Sequence, residues 1–214
     1  MDPRILFQDQ RFVVLDKPAG LPVHGGPAGG RSVEDWFPLL SRRKDGPWLA
    51  HRLDADTAGC LVIALRRAAL LAAQALFASG DVRKTYWAVV SGQVSSDRGM
   101  IAAPLRRVTS PRGWHMIVDE RSGQSATTDW QVRGRTRDRT WLELTPRTGR
   151  THQIRVHCAA LGAPILGDER YGSAGGGLHL LARAIHVPLD PAVDVSAEPP
   201  PHMLAALRQC GFRG

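Results

Sequence analysis

Short apolar runs that end in turn residues, interrupted once by a helical pattern, make up the first part of the chain. Residues 60–65 form a continuous apolar run, CLVIAL, which is typical of a strand buried on both faces. Residues 67–79 are rich in Ala and Leu and are followed by Gly80, which predicts a helix that ends at a glycine. Further runs predict strands at residues 5–7, 12–15 and 84–90, and a Gly-rich loop at residues 24–30.

Apolar and polar positions alternate between residues 125 and 146, as they do in strands with one buried face. Two sets of residues each share a face: Ala126, Thr128, Trp130 and Val132 in the first run, then Leu142 and Leu144 in the second. An Arg-rich turn at residues 134–139 separates the two runs. The segment is therefore predicted to form a β-hairpin.

The last third of the chain predicts two helices and a strand. Residues 151–161 have a helical period, with Ile154, Cys158 and Leu161 on one stripe and Gly162 as the stop. His152, Arg155 and Ala159 then lie on a different face. The remaining segments are a strand at residues 178–187, a Pro-rich loop at residues 188–201 and a short helix at residues 202–209.

Strands outnumber helices in this pattern and do not alternate regularly with them. That order favours an α+β fold around a mixed, mostly antiparallel central sheet with flanking helices. A length of 214 residues fits one domain or two intimately fused halves. We expect a single catalytic domain over residues 1–214, with no linker between separate domains.

The positive charge of the chain is concentrated in one segment. Lys and Arg number 28 against 20 Asp and Glu, a net charge of +8, and residues 131–155 hold seven Arg against Asp138 and Glu143. A positive field suits a polyanion, so nucleic acid is the first candidate partner. From composition alone, a merely soluble basic surface is an equally good interpretation.

Several classes of protein are disfavoured by what the sequence lacks. No export signal or run of 18 apolar residues is visible, so we expect a cytoplasmic protein that does not contact a membrane. The cysteines at 60, 158 and 210 have no spacing typical of a zinc site or a disulfide framework. No phosphate-binding Gly-Lys-Ser/Thr loop occurs, and His152 and His157 are five residues apart, unlike a helical metal pair. We therefore expect neither a nucleotide cofactor nor a metal.

Two polar segments stand beside apolar strands: residues 51–59, and residues 147–157 with residues 162–168 behind them. Taken singly, each is consistent with ordinary capping and turn chemistry. Four ordered blocks change that assessment: DKPAGLPVH at 16–24, HRLD at 51–54 with Thr57 and Gly59, KTY at 84–86, and GRTHQIR at 149–155 with GD at 167–168 and YG at 171–172.

These four blocks resemble those of the RluA family of RNA pseudouridine synthases. The resemblance implies the pseudouridine synthase fold, a basic active-site cleft and isomerisation of uridine in structured RNA, an rRNA or tRNA stem-loop. It also implies a short form, without the N-terminal S4 domain that many relatives carry, and no cofactor, because the isomerisation oxidises nothing and imports no atom. We expect a monomer. Ala58 stands where the family usually has Ser, a departure that affects a loop hydrogen bond and leaves the acid in place.

The same resemblance assigns the catalytic residues. Asp54 becomes the catalytic carboxylate, either as a nucleophile at ribose C1′ or as the base that removes the C2′ proton, the route we favour. Arg155 is expected to pair with Asp54 and keep it ionised, or else to contact phosphate. Tyr86 is expected to stack on uracil, although a strand tyrosine is ordinarily part of the core. Asp56 could replace Asp54 if the loop were misassigned.

Further residues are candidates for binding the RNA. His51 and Arg52 either help to extrude the target base or support their loop. The Arg-rich turn either neutralises phosphates or is a solvated hairpin tip. The substrate-binding candidates are His51, Arg52, Arg133, Arg135, Arg137, Arg150 and His152. Lys17 and His24 are interpreted as scaffold.

Two other functions remain possible. A noncatalytic RNA-binding protein could keep the fold and lose turnover, but Asp54, Tyr86 and Arg155 are all present. A hydrolase that uses the His residues and a metal would be inhibited by chelators, which we do not expect.

Overall fold

The structure of the chain, a computed structural model, describes residues 2–26, 29–111 and 113–214. The strands are β1 (Ile5–Gln8), β2 (Phe12–Lys17), β3 (Trp48–Leu49), β4 (Ala58–Ala64), β5 (Arg83–Ser91), β6 (Arg98–Ala102), β7 (Leu105–Ser110), β8 (Gly113–Val118), β9 (Thr127–Arg135), β10 (Arg139–Pro146), β11 (Leu180–Val187) and β12 (Val193–Ser196). The helices are α1 (Phe37–Leu40), α2 (Arg67–Ser79), α3 (Gln153–Ala160) and α4 (Pro201–Gln209), and a short 3-10 helix spans Val33–Trp36.

The chain divides into two compact units. The first comprises Met1–Lys84 and Leu181–Pro199, and the second comprises Thr85–Leu180 and Pro200–Gly214. Each unit is therefore assembled from two separate stretches of sequence.

In the first unit, β4 is the central strand, and all seven of its residues are buried. It pairs antiparallel with β2 and β3, and β11 lies parallel to it, with Leu181 opposite Ala58. Strands β1 and β12 extend this sheet as antiparallel partners of β2 and β11. The continuous apolar run at residues 60–65 is explained by this position, because a strand with neighbours on both edges and covered faces has no polar side.

Gly59 is required by the same packing. Its φ is +107°, and a Cβ at this position would overlap the backbone carbonyl of Ala182 on the neighbouring strand β11. Only glycine combines that backbone conformation with so close an approach. The glycine thus fixes where the chain leaves the polar segment at residues 51–59 and enters β4.

The second unit contains a four-stranded antiparallel sheet with the order β5-β10-β9-β6 and a separate hairpin, β7–β8. Trp130, Leu142 and Leu144 of the sheet pack with Ile154 and Cys158 of α3 in one buried cluster. These residues belong to the faces and stripe that the alternation predicted. The hairpin β9–β10 and the amphipathic helix are therefore confirmed.

The mixed, mostly antiparallel α+β fold is confirmed, with some boundaries and elements corrected. Helix α2 ends at Gly80, which adopts the left-handed conformation with φ +84°, as predicted. Helix α3 begins at Gln153 rather than residue 151, because His152 has φ +52° and cannot continue a right-handed helix. The Pro-rich segment at 188–201 was predicted as a loop throughout but contains β12. Pro27 and Ala28 of the predicted Gly-rich loop lie outside the described residues.

Among the described residues, no helix combines the length and the apolar character needed to cross a membrane. Cys60, Cys158 and Cys210 are buried free thiols.

Candidate active-site residues in the two units

In the first unit, Asp54 begins a tight turn just before β4. The backbone N–H of Thr57 donates to the carbonyl oxygen of Asp54 at 3.1 Å, which closes the turn. Leu53 and Thr57 are buried, Asp54 is half-buried and Asp56 is exposed. The turn therefore presents two carboxylates in different environments: Asp56 is exposed, and Asp54 is half-buried in a turn whose residues Leu53 and Thr57 are buried.

Lys17 ties this turn to the DKPAG block. Its side chain is fully buried, and its Nζ donates to the carbonyl oxygens of Pro18 and Leu21 at 2.8 Å and of Ala55 at 2.7 Å. An ammonium has three N–H donors, so all three are used. Gly20 N–H also donates to Ala55 O at 2.9 Å. The carbonyl group of Ala55, the residue after Asp54, thus accepts two donors from one block.

Burial lowers the pKa of Lys17 to about 8, although the carboxylates of Asp56 and Asp54 act in the opposite direction. The ammonium is consequently charged at pH 7. A charged group at this position places positive potential beside the carboxylate of Asp54. The scaffold role expected of Lys17 agrees with its contacts to backbone atoms.

His51 braces the segment against β4. Its Nε2 accepts the backbone N–H of Val62 at 3.0 Å, and its ring lies 4.8 Å from that of Phe77. Burial, followed by the charge of Lys84, lowers the pKa of His51 to about 4. A ring nitrogen that accepts a backbone N–H must carry a lone pair, so the neutral form fits the contact. Arg52 is exposed.

In the second unit, Tyr86 lies on β5 opposite Leu144 of β10. It is partly buried and packs against the cluster that contains Leu144 and Ile154. A strand of the sheet therefore fixes its backbone, while the residue stays partly accessible.

Arg155 is held by a buried carboxylate in the same unit. Its Nε and Nη2 donate to the two oxygens of Asp168, each at 2.8 Å, in a bidentate pair. The side chains are 6% and 0% exposed. Burial raises the pKa of Asp168, but the hydrogen bond and charge of Arg155 and the backbone N–H groups of Arg170 and Tyr171 outweigh it and hold the pKa below 3.8.

Polar residues of α3 and β9 form a second hydrogen-bond network in this unit. Gln153 Nε2 donates to Thr128 Oγ1 at 3.0 Å, and Thr128 Oγ1 lies 2.9 Å from His157 Nδ1. His157 Nε2 lies 3.0 Å from the carbonyl of Ala103, which can only accept. Nε2 therefore carries the proton, and Thr128 donates to Nδ1. Burial lowers the pKa of His157, in agreement with this neutral form. His157 is thus a core residue rather than a ligand.

The candidate RNA-binding arginines differ in how firmly they are held. Arg135 donates to Asp97 at 2.7 Å and to the carbonyl oxygens of Val94 and Ser96. Arg133 and Arg137 are exposed on the β9–β10 hairpin. Arg150 is exposed, and its Nε donates to Ser125 O at 3.1 Å. Arg133 and Arg137 are therefore better placed than Arg135 to contact phosphate.

The contacts of two predicted catalytic residues are with residues that were not predicted as catalytic. In the first unit, Lys17 lies near the carboxylates of Asp54 and Asp56, and in the second unit Arg155 pairs with Asp168. The expected pairing of Asp54 with Arg155 joins residues of different units and stays a prediction. Sequence analysis gave Asp168 no role, although the GD step at 167–168 was visible. Among the described residues, no group of His, Cys, Asp and Glu side chains is arranged to hold a metal ion.

Comparison with known proteins identifies relatives over most of the chain. The sequence model of the RNA pseudouridylate synthase family matches residues 11–160. An uncharacterized RNA pseudouridine synthase of Zymomonas mobilis is 40% identical over 173 residues, which cover 79% of this chain and 78% of that protein. The ribosomal large subunit pseudouridine synthase C of Pasteurella multocida is 37% identical over 174 residues, 80% of this chain and 53% of the relative.

A solved structure agrees with these sequence relatives. Human RNA pseudouridylate synthase domain containing 4 superposes with a TM-score of 0.82 at 30% identity, over 97% of this chain and 92% of that one. The chain spans about half the length of the ribosomal large subunit relative.

Proposed function

Because the chain belongs to the RNA pseudouridylate synthase family, we propose that it isomerises uridine to pseudouridine in structured RNA. The observation that carries the proposal is the family match to residues 11–160, which includes both the Asp54 turn and Arg155. The match continues from the first unit into the second, which supports the proposal that both form one catalytic domain. The resemblance to the RluA type is confirmed by the ribosomal relatives.

The proposed reaction breaks the bond between uracil N1 and ribose C1′ and forms a bond between C5 and C1′. C5 loses its proton and N1 gains one, so atoms and electrons balance without an oxidant or another reactant. The chemistry asks for a carboxylate at the sugar, a group that moves the C5 proton and a pocket that retains the freed base.

We assign the carboxylate to Asp54. Its turn is fixed through Ala55 by Lys17 and Gly20, and a fixed carboxylate loses less entropy when it meets the ribose. Asp56 is exposed in the same turn and is the weaker candidate. Asp54 is the required group on either route, attack at C1′ or removal of the C2′ proton, and we favour the second.

Arg155 and Tyr86 complete the proposed set. Arg155 would hold Asp54 ionised, and its bidentate bond to Asp168 supports this role because it fixes the guanidinium in one orientation. Tyr86, which is only partly buried, would stack on the extruded uracil.

The proposed substrate is large-subunit ribosomal RNA, because two relatives of 34% and 37% identity are named ribosomal large subunit pseudouridine synthase C. A stem-loop is favoured because extrusion of a base costs least where pairing is already interrupted. Arg133 and Arg137 would neutralise phosphates, and Arg52 would help to extrude the base. The cytoplasmic location, the monomeric state and the binding roles of His51, Arg150 and His152 stay predictions.

Release of tritium from RNA that contains 5-³H-uridine tests the proposal, since only rejoining through C5 expels that hydrogen. We expect release from large-subunit rRNA with the wild-type protein, none with Asp54→Asn, and measurable turnover with Asp56→Asn as the matched control. Turnover by Asp54→Asn would remove the assignment, and loss in Asp56→Asn alone would transfer it to Asp56.

The same assay separates the alternatives. RNA binding without tritium release, on rRNA and on tRNA, would favour a noncatalytic binding protein. Release from tRNA alone would correct the proposed substrate and leave the reaction in place.

A further inference from the structure

The hairpin β7–β8 carries a basic aromatic stack that the sequence analysis did not find. The Cζ atoms of Arg107 and Arg170 lie 4.5 and 5.0 Å from the centre of the Trp114 ring. Arg107 and Arg170 are exposed, and Trp114 is partly buried. Arg170 Nη1 donates to the carbonyl oxygen of Trp114, which fixes this guanidinium beside the ring. A guanidinium stacked on an aromatic face can present its remaining N–H groups to phosphate. The charge of this surface is complementary to RNA.

The hydroxyl of Tyr171 joins this hairpin to the start of α3. The backbone N–H of Met116 on β8 donates to Tyr171 Oη at 3.0 Å, and His152 Nδ1 lies 2.8 Å from the same oxygen. The ring of His152 in turn lies 5.0 Å from that of Trp114. One hydroxyl therefore connects the hairpin backbone with a residue whose ring contacts the stack.

The ring of Tyr171 contacts the other candidate component of this unit. The Cζ atom of Arg155 lies 5.3 Å from the centre of that ring. Asp168, which binds Arg155, also accepts the backbone N–H of Tyr171 at 3.1 Å. The hydroxyl of Tyr171 thus contacts the β7–β8 hairpin, and its ring contacts the arginine proposed to act beside Asp54.

We propose that Tyr171 is a positioning residue with two separable roles. Its hydroxyl holds the β7–β8 hairpin in place for RNA binding, and its ring holds the guanidinium of Arg155 for the chemical step. The inference rests on the proposed function, because both roles are defined towards RNA isomerisation. Tyr171 also packs against the hydrophobic cluster of Leu105, Met116 and Val156. If packing were its only role, its substitutions would lower stability, and they would not change KM and Kd separately from kcat.

Two substitutions separate the roles. Tyr171→Phe removes the hydroxyl and keeps the ring, so we expect KM and the Kd for a large-subunit rRNA stem-loop to rise about fivefold with kcat within about twofold. Tyr171→Leu removes both, so kcat should also fall about tenfold or more. Arg107→Gln, which leaves Tyr171 intact, should reproduce the weaker Kd and flatten the salt dependence of binding.

Tritium release measured against RNA concentration gives KM and kcat, and filter binding gives Kd. An equal fall of kcat in Tyr171→Phe and Tyr171→Leu, or no change of Kd in Tyr171→Phe, would overturn the inference. Absence of tritium release by the wild-type protein would instead refute the proposed function. In that case an unchanged Kd in Tyr171→Phe would also overturn the hydroxyl role, and a fivefold rise would support it.

Discussion

Two bidentate Arg–Asp pairs in the second unit have the same chemistry and opposite exposure. Arg155 with Asp168 is 6% and 0% exposed, whereas Arg147 with Asp129 is 62% and 36% exposed. Both aspartates accept two guanidinium N–H groups, at 2.8 and 2.8 Å in the buried pair and at 2.6 and 2.9 Å in the exposed one. Asp168 also accepts the backbone N–H groups of Arg170 and Tyr171, at 3.0 and 3.1 Å. Substitution of each aspartate by Asn therefore compares a buried carboxylate that has these additional bonds with an exposed one.

We expect Asp168→Asn to lower the free energy of unfolding by about 3–5 kcal/mol, because it removes the buried carboxylate charge that binds the guanidinium of Arg155 through two hydrogen bonds. Asp129→Asn should lower the free energy of unfolding by about 0–1 kcal/mol, because water solvates both side chains of the exposed pair. A difference of about 3 kcal/mol would be a large fraction of the stability of an ordinary domain.

Urea unfolding of the two variants beside the wild-type protein measures this difference. At similar slopes, Asp168→Asn should shift the midpoint downward by about 1–2 M. Equal midpoints for Asp168→Asn and Asp129→Asn would refute the reasoning that burial makes the Arg155 pair the stronger one.

The pH dependence supplies the sign of the effect. The pKa of Asp168 in the folded chain lies below its ordinary value of 3.8, so the unfolded chain binds the proton first as pH falls. The stabilisation is complete above about pH 5 and is lost as pH falls through the folded pKa. The gap between wild-type and Asp168→Asn should therefore narrow below pH 4, and a gap that widens there would contradict the assignment.

Two further predictions concern the first unit. Gly59→Ala should lower the free energy of unfolding by about 3 kcal/mol or more, because the added Cβ would overlap the backbone of Ala182 and the φ is unfavourable for alanine. Gly80→Ala should lower it by about 1 kcal/mol, because its φ is also positive but the added Cβ would meet open space. Thermal unfolding compares the two variants, and equal losses of stability would contradict the packing argument. The rate of tritium release should decline as pH rises through about 8, because Lys17 then loses a proton and one of its three carbonyl partners loses its donor. Lys17→Met should lack this decline, and a wild-type rate that is unchanged up to pH 9 would contradict the role of Lys17.

Sequence patterns predicted the elements whose apolar spacing is uninterrupted. The run at 60–65, the helix that ends at Gly80 and the alternation of the β9–β10 hairpin all reflect burial on a defined face. The β7–β8 hairpin escaped prediction because arginines and a threonine interrupt the apolar positions along β7. Strand β12 was hidden by the prolines that surround its short alternation of Val and polar residues.

The polar contacts of the candidate site were harder to predict. Asp168 lies 13 positions beyond Arg155, beyond the end of α3, so no helical spacing indicates that they meet. The positive φ of His152 arises at the junction with α3 and leaves no signature in a non-glycine residue. The family blocks indicated Asp54 and Arg155. Only the structure shows that Lys17 binds the carbonyl oxygen next to Asp54 in the chain, that of Ala55, and that Asp168 binds Arg155.

The parallel pairing of β4 with β11 has a consequence for protein synthesis. Ala58 lies opposite Leu181, so about 120 residues must be added before the strand after Asp54 gains that neighbour. At roughly 5–20 residues per second, translation of this interval takes about 6–25 s. During that time Gly59 lacks its contact with the carbonyl of Ala182. A ribosome-bound chain that ends before β11 should therefore not yet modify RNA.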